Sequence, residues 1–431
     1  MLKKESYLFM PIDTRPAHVR RRAFYIFLIC AVLFGMGQFH RLSGAVTIPP
    51  IAEDLGLSVD RLGFVAAILF FTSALLQIPN GLLLDRFGSR RVVPIYVGFA
   101  IAGCLILAFA TSYEELLVSR MLLGGGFSVT MMSAYVLFAK WYPVEKFATV
   151  TSWMMAASSL GSIIASYPLA FFINEFGWRP AYLIVAGVTL VAVIVGFFVI
   201  RDIPPGYVKN AKQPTTLKES LRGYSAVLVF PRFFFLLAMG FVAFGPATAI
   251  LGMWGGPYLE TQYGLSGVER GEILLLMVIA VPIGALFFGP MDRIFKSRKR
   301  VVLVAVFAEV CAFLALGFLD DLPLWGVCSL FVVIAFLQQH YVVLAAHCRS
   351  LFPDYLVGRA NSTLNLTSIM GVGTMQSLFG WALIYSPEKG YQLAFIGIAL
   401  TLVLAAILYL AAKEVPLADV SGGAPLSEVE T

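Results

Sequence analysis

Twelve apolar stretches leave this chain few ways to fold. They run approximately over 23–50, 62–84, 92–110, 116–141, 148–173 and 181–200. After a polar stretch they resume over 233–259, 271–291, 301–319, 323–348, 360–385 and 391–412. Apolar runs of about 18 residues or more suit helices that cross a hydrocarbon layer ~30 Å thick. Charged residues make up 13% of the 431-residue chain, against roughly 25% in soluble domains. The expectation is an all-α membrane protein with twelve transmembrane helices. A tail at 1–22 precedes a six-helix bundle at 23–200. A linker at 201–232, holding Pro204, Pro205, Gly206 and Pro214, joins it to a second bundle at 233–412. A polar tail follows from 413 to 431.

One charged turn recurs between these runs. Gly81-Leu82-Leu83-Leu84-Asp85-Arg86-Phe87-Gly88-Ser89-Arg90-Arg91 separates the second and third. A degraded copy, Asp292-Arg293-Ile294-Phe295-Lys296-Ser297-Arg298-Lys299-Arg300, separates the eighth and ninth, with Asp292 lying 207 residues after Asp85. Repetition at a half-chain interval implies a two-fold repeat of helices. The spacing Gly-x-x-x-Asp-Arg-x-Gly-x-Arg-Arg resembles the signature loop between the second and third helices of the major facilitator superfamily. The second copy departs from it, with Phe288 in place of the glycine and one extra residue. The resemblance covers about residues 20–412 and implies that family's fold and alternating-access transport.

Lysine and arginine placement sets the orientation. With the N-terminus inside, 25 of the 31 basic residues fall on the inner side, and the outer loops hold only Arg61, Arg179, Arg270 and Lys389. Both termini are therefore expected in the cytoplasm, in a multi-pass protein of the cell inner membrane. The net charge of +6 is then a topology signal, with anionic lipid as a further contact, and argues against nucleic acid. Cys30, Cys104, Cys311, Cys328 and Cys348 all fall in apolar runs. They read as small buried hydrophobes without disulfide or zinc spacing. The first apolar run is too long for a cleavable signal peptide and lacks a cleavage site.

Arg41, beside His40, lies deep in the first run. A buried arginine costs at least ~2.5–3.5 kcal/mol on insertion scales, so it should face a polar interior. It is either a ligand for an anionic solute, since guanidinium suits carboxylate and phosphate, or a structural arginine paired with carbonyls. The segment from Arg41 through Pro49, Ile51 and Asp54-Leu55-Gly56-Leu57-Ser58 resembles the first helix of bacterial organophosphate:phosphate antiporters and related organic-anion permeases. Trp254-Gly255-Gly256-Pro257-Tyr258-Leu259 resembles their seventh, which implies roles in solute binding for Trp254 and Tyr258. Those antiporters place a second arginine about one and a half turns before that tryptophan. Ala247-Thr248-Ala249-Ile250 stands there instead, so a singly charged carboxylate or a zwitterion fits better than a phosphate ester.

Arg120, followed by Gly124-Gly125-Gly126, resembles the superfamily's fourth-helix Arg-x-x-x-Gly pattern, which implies a part in coupling. Bonding to neighbouring carbonyls is the alternative. By the same resemblance, Asp85, Arg86, Arg90, Asp292 and Arg293 form latches between conformations, with Asp85 meeting the start of the eleventh helix and Arg90 or nearby basic residues. Glu309 is the carboxylate deep inside a run, the ninth. It either carries protons or pairs structurally on a peripheral helix, the latter favoured by its position. Gln338-Gln339-His340 lies on the tenth run, a cavity-lining helix in this fold. Gln339 and His340 are candidate solute ligands, and a histidine also titrates near neutrality. His347 and Arg349 read as interfacial. Asn361, Asn365 and Gln376 fit interhelical hydrogen bonds as well as solute contacts.

No P-loop, dinucleotide-binding glycine pattern, His-Glu-x-x-His or cysteine–histidine metal spacing occurs, so no cofactor, metal or enzymatic activity is expected. Span five lacks the Gly-Pro-x-x-Gly-Gly pattern of drug:proton antiporters. The reading is a monomeric secondary transporter for a small organic anion, coupled to protons. Export of a drug or siderophore-like compound, or a transport-fold sensor, are the rivals. A single cysteine introduced in the 201–231 stretch should resist an impermeant thiol reagent applied outside intact cells; labelling from outside would reverse the orientation.

Overall fold

The computed structural model describes residues 16–205, 225, 227–319, 321–352 and 354–414. The tail before residue 16, most of the linker and the tail after 414 lie outside the described residues. Ten helices begin the described chain. They are α1 (Ala17–Leu42), α2 (Gly44–Leu55), α3 (Val59–Leu75), α4 (Gln77–Phe87) and α5 (Ser89–Ala108). Then come α6 (Tyr113–Phe127), α7 (Thr130–Trp141), α8 (Val144–Ile164), α9 (Tyr167–Phe176) and α10 (Trp178–Val199). After the linker come α11 (Phe233–Ala243) and α12 (Gly245–Ala249), a π-turn (Ile250–Trp254), α13 (Gly255–Tyr263), α14 (Gly267–Phe288) and α15 (Met291–Ile294). The last elements are α16 (Arg298–Phe318), α17 (Leu324–Leu337), a 3-10 turn (Gln338–His340), α18 (Tyr341–Leu351), α19 (Asp354–Tyr385) and α20 (Gly390–Leu410). No strand occurs among the described residues.

Among the described residues ten helices, several of them pairs of these elements in continuous register, are long and apolar enough to cross a membrane. An eleventh is the pair Arg61–Leu75 and Gln77–Leu84, bent by 41°. The bend has a cause in Pro79, which has no N–H for the carbonyl four residues earlier. α19, at 32 residues, exceeds the length a span needs and carries Asn361, Asn365, Ser368 and Gln376 among its apolar residues. The first apolar run is interrupted at Ser43, and its second part, with Pro49 and Pro50 inside it, reaches Leu55, beyond the expected end at 50.

The chain forms two compact units. One comprises residues 1–43 and 71–216; the other comprises 44–70 and 217–431. The boundary falls inside α3. In the first unit α1 packs on α7, α8 and α10, and α5 packs on α6 and α10. Ile26, Phe34, Leu137, Phe138 and Trp141 form a core there. Its buried polar tips are satisfied. The Trp141 indole donates to the Arg201 carbonyl at 2.7 Å, and the Tyr142 hydroxyl donates to the Ala23 carbonyl at 2.8 Å. In the second unit α16 packs on α20, α11 on α19 and α20, and α14 on α17.

Small residues set these distances. A Cβ at Gly161 would overlap the Gly35 carbonyl, and one at Gly371 would overlap the Phe241 carbonyl. The helix axes are therefore closer than any side chain permits, a common means of association where the surrounding lipid offers no hydrophobic driving force. The cysteines divide: Cys30, Cys104 and Cys348 are buried, while Cys311 is exposed and Cys328 is partly so. An outward thiol on a lipid-facing helix meets apolar surroundings, so burial is not required of it. Gly161→Ala and Gly371→Ala should each lower the melting temperature, with overpacking costing about 1–3 kcal/mol. Gly98→Ala, where nothing lies within 4 Å of the added methyl, should leave it unchanged; equal melting for all three would refute this packing.

Candidate functional site

The end of α1 places two adjacent basic residues in different surroundings. Both lie in its last turn, where a helix C-terminus favours positive charge. His40 is 2% exposed. Its ring stacks on Phe127 at 5.2 Å and on Tyr182 at 6.1 Å, and meets Phe39 edge-on at 5.2 Å. Nε2 lies 3.5 Å from the Cys104 Sγ. The Arg120 guanidinium, also 2% exposed, donates to the His40 carbonyl at 3.4 Å. His40 is thus a packed aromatic in this structure, and Arg120 bonds a neighbouring carbonyl, one of the two readings its sequence allowed. At the break beside them Ser43 Oγ and the Tyr182 hydroxyl lie 3.3 Å apart.

Arg41 is half-buried. Its guanidinium offers five N–H donors and makes one hydrogen bond among the described residues, to Gln38 Oε1 at 3.3 Å. No described carboxylate forms an ion pair with it. This is an incompletely satisfied cation inside a membrane helix, and Gln38, one turn earlier, holds it as a neutral acceptor. The sequence reading missed Gln38, although its i, i−3 spacing was a usable signal.

In the second unit Trp254 closes the π-turn and is buried. Its indole donates to the Gln376 carbonyl at 3.0 Å and its ring stacks on Phe379 at 5.8 Å. Tyr258 sits among the rings of Tyr263, Phe331, Tyr391 and Phe395 at 5.2–6.2 Å. Both belong to one aromatic cluster in this conformation. Gln339 and His340 are buried within the 3-10 turn, and Gln339 packs where Gly284 leaves room. His340 Nδ1 faces the Leu337 carbonyl at 3.0 Å. Glu309 is fully buried, with neither carboxylate oxygen partnered. His347, read as interfacial, is fully buried instead. It lies 2.6 Å from the Tyr409 hydroxyl and 2.8 Å from the Lys413 carbonyl, a lining supplied from the far end of the sequence. No group of three or more His, Cys, Asp or Glu suited to a metal ion occurs among the described residues.

The charged turns are tied to their own units. Gly88, at φ 77°, ends α4 and starts α5, and a Cβ there would meet the Asp202 carboxylate. Asp202 accepts the Arg90 backbone N–H at 3.1 Å, an anion at a helix N-terminus. The Arg90 guanidinium donates to the Phe197 carbonyl at 3.2 Å and covers that ring at 5.1 Å. Arg22 donates to the Val199 and Phe198 carbonyls. Two arginines thus serve the orphan carbonyls at the end of α10. Arg86 is exposed and lies over the Phe87 ring. The side chains of Asp85 and Arg293 lie outside the described residues. In the second turn Asp292 accepts from Arg298 Nε at 3.3 Å. Glu414 accepts from Ser297 Oγ at 2.7 Å and the Lys299 N–H at 3.3 Å.

Long apolar helices, broken at prolines and non-α turns and holding guanidinium and carboxyl groups inside them, define a multi-pass membrane transport protein. The chain belongs to the Major Facilitator Superfamily, whose sequence pattern matches residues 26–339. The family and the helical membrane fold expected from the charged turns are so borne out. Over 180 residues, 42% of this chain and 41% of the relative, it is 27% identical to an uncharacterized transporter of Bacillus subtilis. It is 25% identical to a putative tartrate transporter of Agrobacterium vitis, over 71% of this chain and 72% of that one. Over 93% of this chain and 98% of the relative it is 22% identical to the D-galactonate transporter of Escherichia coli. Among solved structures, a bacterial homolog of the human lysosomal transporter Spinster superposes with a TM-score of 0.74 at 16% identity, covering 90% of this chain and 96% of that one.

Trp254→Ala should cost about 3–5 kcal/mol of stability, as for other buried large aromatics, and appear as a marked loss in melting temperature in detergent. A variant as stable as the parent would mean that the ring is not part of a packed cluster.

Proposed function

We propose that this chain is an alternating-access secondary transporter of a small organic anion, most simply a carboxylate, across the cytoplasmic membrane, with protons as the coupling ion. The observation that carries the reading is Arg41, a half-buried guanidinium bonded only to the neutral Gln38 among the described residues. A guanidinium presents a planar fork that matches a carboxylate. The relatives named for tartrate and D-galactonate handle carboxylates, which supports the same class. Two six-helix halves rocking about a midplane site are the expected mechanism. Both termini would lie in the cytoplasm, by the distribution of basic residues. Uptake of an anion into a cell that is negative inside works against about 2.3 kcal/mol per charge per 100 mV. Protons moving with the anion offset that cost, which favours proton coupling.

Thermal-shift titration with D-galactonate, tartrate and other carboxylates tests the solute class, since a ligand of the folded state raises its stability by mass action. A charge-assisted contact contributes ~1.5–3 kcal/mol. Arg41→Gln should therefore weaken carboxylate binding roughly ten- to a hundredfold, at about 1.4 kcal/mol per decade, with little thermal loss. Arg41→Lys should recover part of it, because lysine keeps the charge and loses the fork. A large drop in melting temperature with affinity unchanged would make Arg41 structural.

A further inference from the structure

The interior of the second unit holds hydrogen-bond acceptors that lack donors, and they occur on elements packed together. Glu309, midway along α16, is fully buried and both its oxygens lack a protein partner. α16 packs against α20 and against α17, the 3-10 turn and α18. The 3-10 turn supplies two further acceptors. Gln338 Oε1 is buried and unpartnered. The contact of His340 Nδ1 with the Leu337 carbonyl puts the ring hydrogen on that nitrogen, which leaves Nε2 as an acceptor, again unpartnered. An ionised carboxylate with neither cation nor donor is among the least tolerable groups in an apolar interior. A neutral carboxylic acid is tolerable there, and its O–H can donate to an acceptor.

The other titratable groups on the surrounding elements have their own places. On α20, Tyr409 contacts His347 of α18, and Tyr391 sits in the Tyr258 cluster. On α17 and α18 the remaining ones are Cys328, Tyr341, Cys348 and the exposed Arg349. On α16 itself Cys311 is exposed. At the start of that helix Arg298 meets Asp292, Lys299 caps the Leu410 and Ala412 carbonyls, and Arg300 is exposed. None of these contacts engages Glu309.

We propose that Glu309 is a proton-binding site of this transporter, neutral in this conformation and discharged when the 3-10 turn at Gln338–His340 rearranges. The step is one O–H bond formed with a proton taken from water on one side of the membrane and broken to water on the other. It rests on the transport reading and deepens its coupling, while not depending on which anion is carried. A 3-10 segment inside a helix is the strained, switchable kind of turn such a step needs.

Infrared difference spectroscopy on the purified protein, titrated with acid and base, reads the site without any solute. The wild type should show the C=O band of a protonated carboxylic acid at neutral pH, and Glu309→Gln should lack it. Glu309→Met serves for the same comparison should the glutamine variant not fold. In proteoliposomes given an acidic exterior, Glu309→Gln should lose gradient-driven accumulation of D-galactonate. A band that persists in the variants, or accumulation equal to wild type, overturns the proposal. Failure of the wild type to bind or accumulate any carboxylate counts against the anion reading alone, with the infrared comparison still deciding the proton site.

Discussion

Each peptide group inside a hydrocarbon layer must find its hydrogen-bond partner within the protein. That constraint makes the described residues helical almost throughout, and it also explains where the helices stop being regular. Pro79 withholds a donor, and the chain bends by 41° beside it. The π-turn at Ile250–Trp254 and the 3-10 turn at Gln338–His340 are tolerated because they are buried in protein. The free carbonyls at the end of α10 are met by Arg22 and Arg90. The charged turn therefore satisfies backbone groups at the edge of the hydrocarbon as well as carrying charge.

The same accounting separates the arginines. Arg90, Arg120 and Arg298 have carbonyl or carboxylate partners within their own unit. A cation so placed is part of the framework, and removing it strands its acceptors. Arg41 has Gln38 alone among the described residues. The difference lies in the partners, since all of these residues look alike as basic positions in or beside apolar runs. Glu309 is the carboxyl counterpart, buried with neither oxygen partnered among the described residues.

The spans were legible because length and hydropathy decide membrane insertion, and the charged turns were legible because they fall between spans. The side chains around the candidate residues were less so. His40 and Arg41 are neighbours in sequence, but successive helical residues point about 100° apart. One ring therefore enters a pocket of Phe127 and Tyr182 while the next side chain meets Gln38. Trp254 looked like a solute contact, but its donor is taken by a carbonyl 122 residues away, a pairing no local pattern encodes. Asp202 as the partner of Arg90 was hidden for the same reason. The polarity of Gln338-Gln339-His340 did mark a special place, though its departure from α-helical geometry was not readable.

Within the second unit, α2 meets the seventh span without side chains between them. A Cβ at Gly44 would strike the Gly252 carbonyl, and one at Gly256 would strike the Ala45 carbonyl. The Ala45 carbonyl is also the one that Pro49 leaves without its helical donor. Contact of backbone with backbone has no rotamers to repack and no ion pair to desolvate. If such a joint parts and re-forms during a working cycle, it can do so without a search for the right side-chain arrangement. The same property makes it demanding in evolution: at these two positions charge and polarity are beside the point, and a single methyl group is the unit of selection.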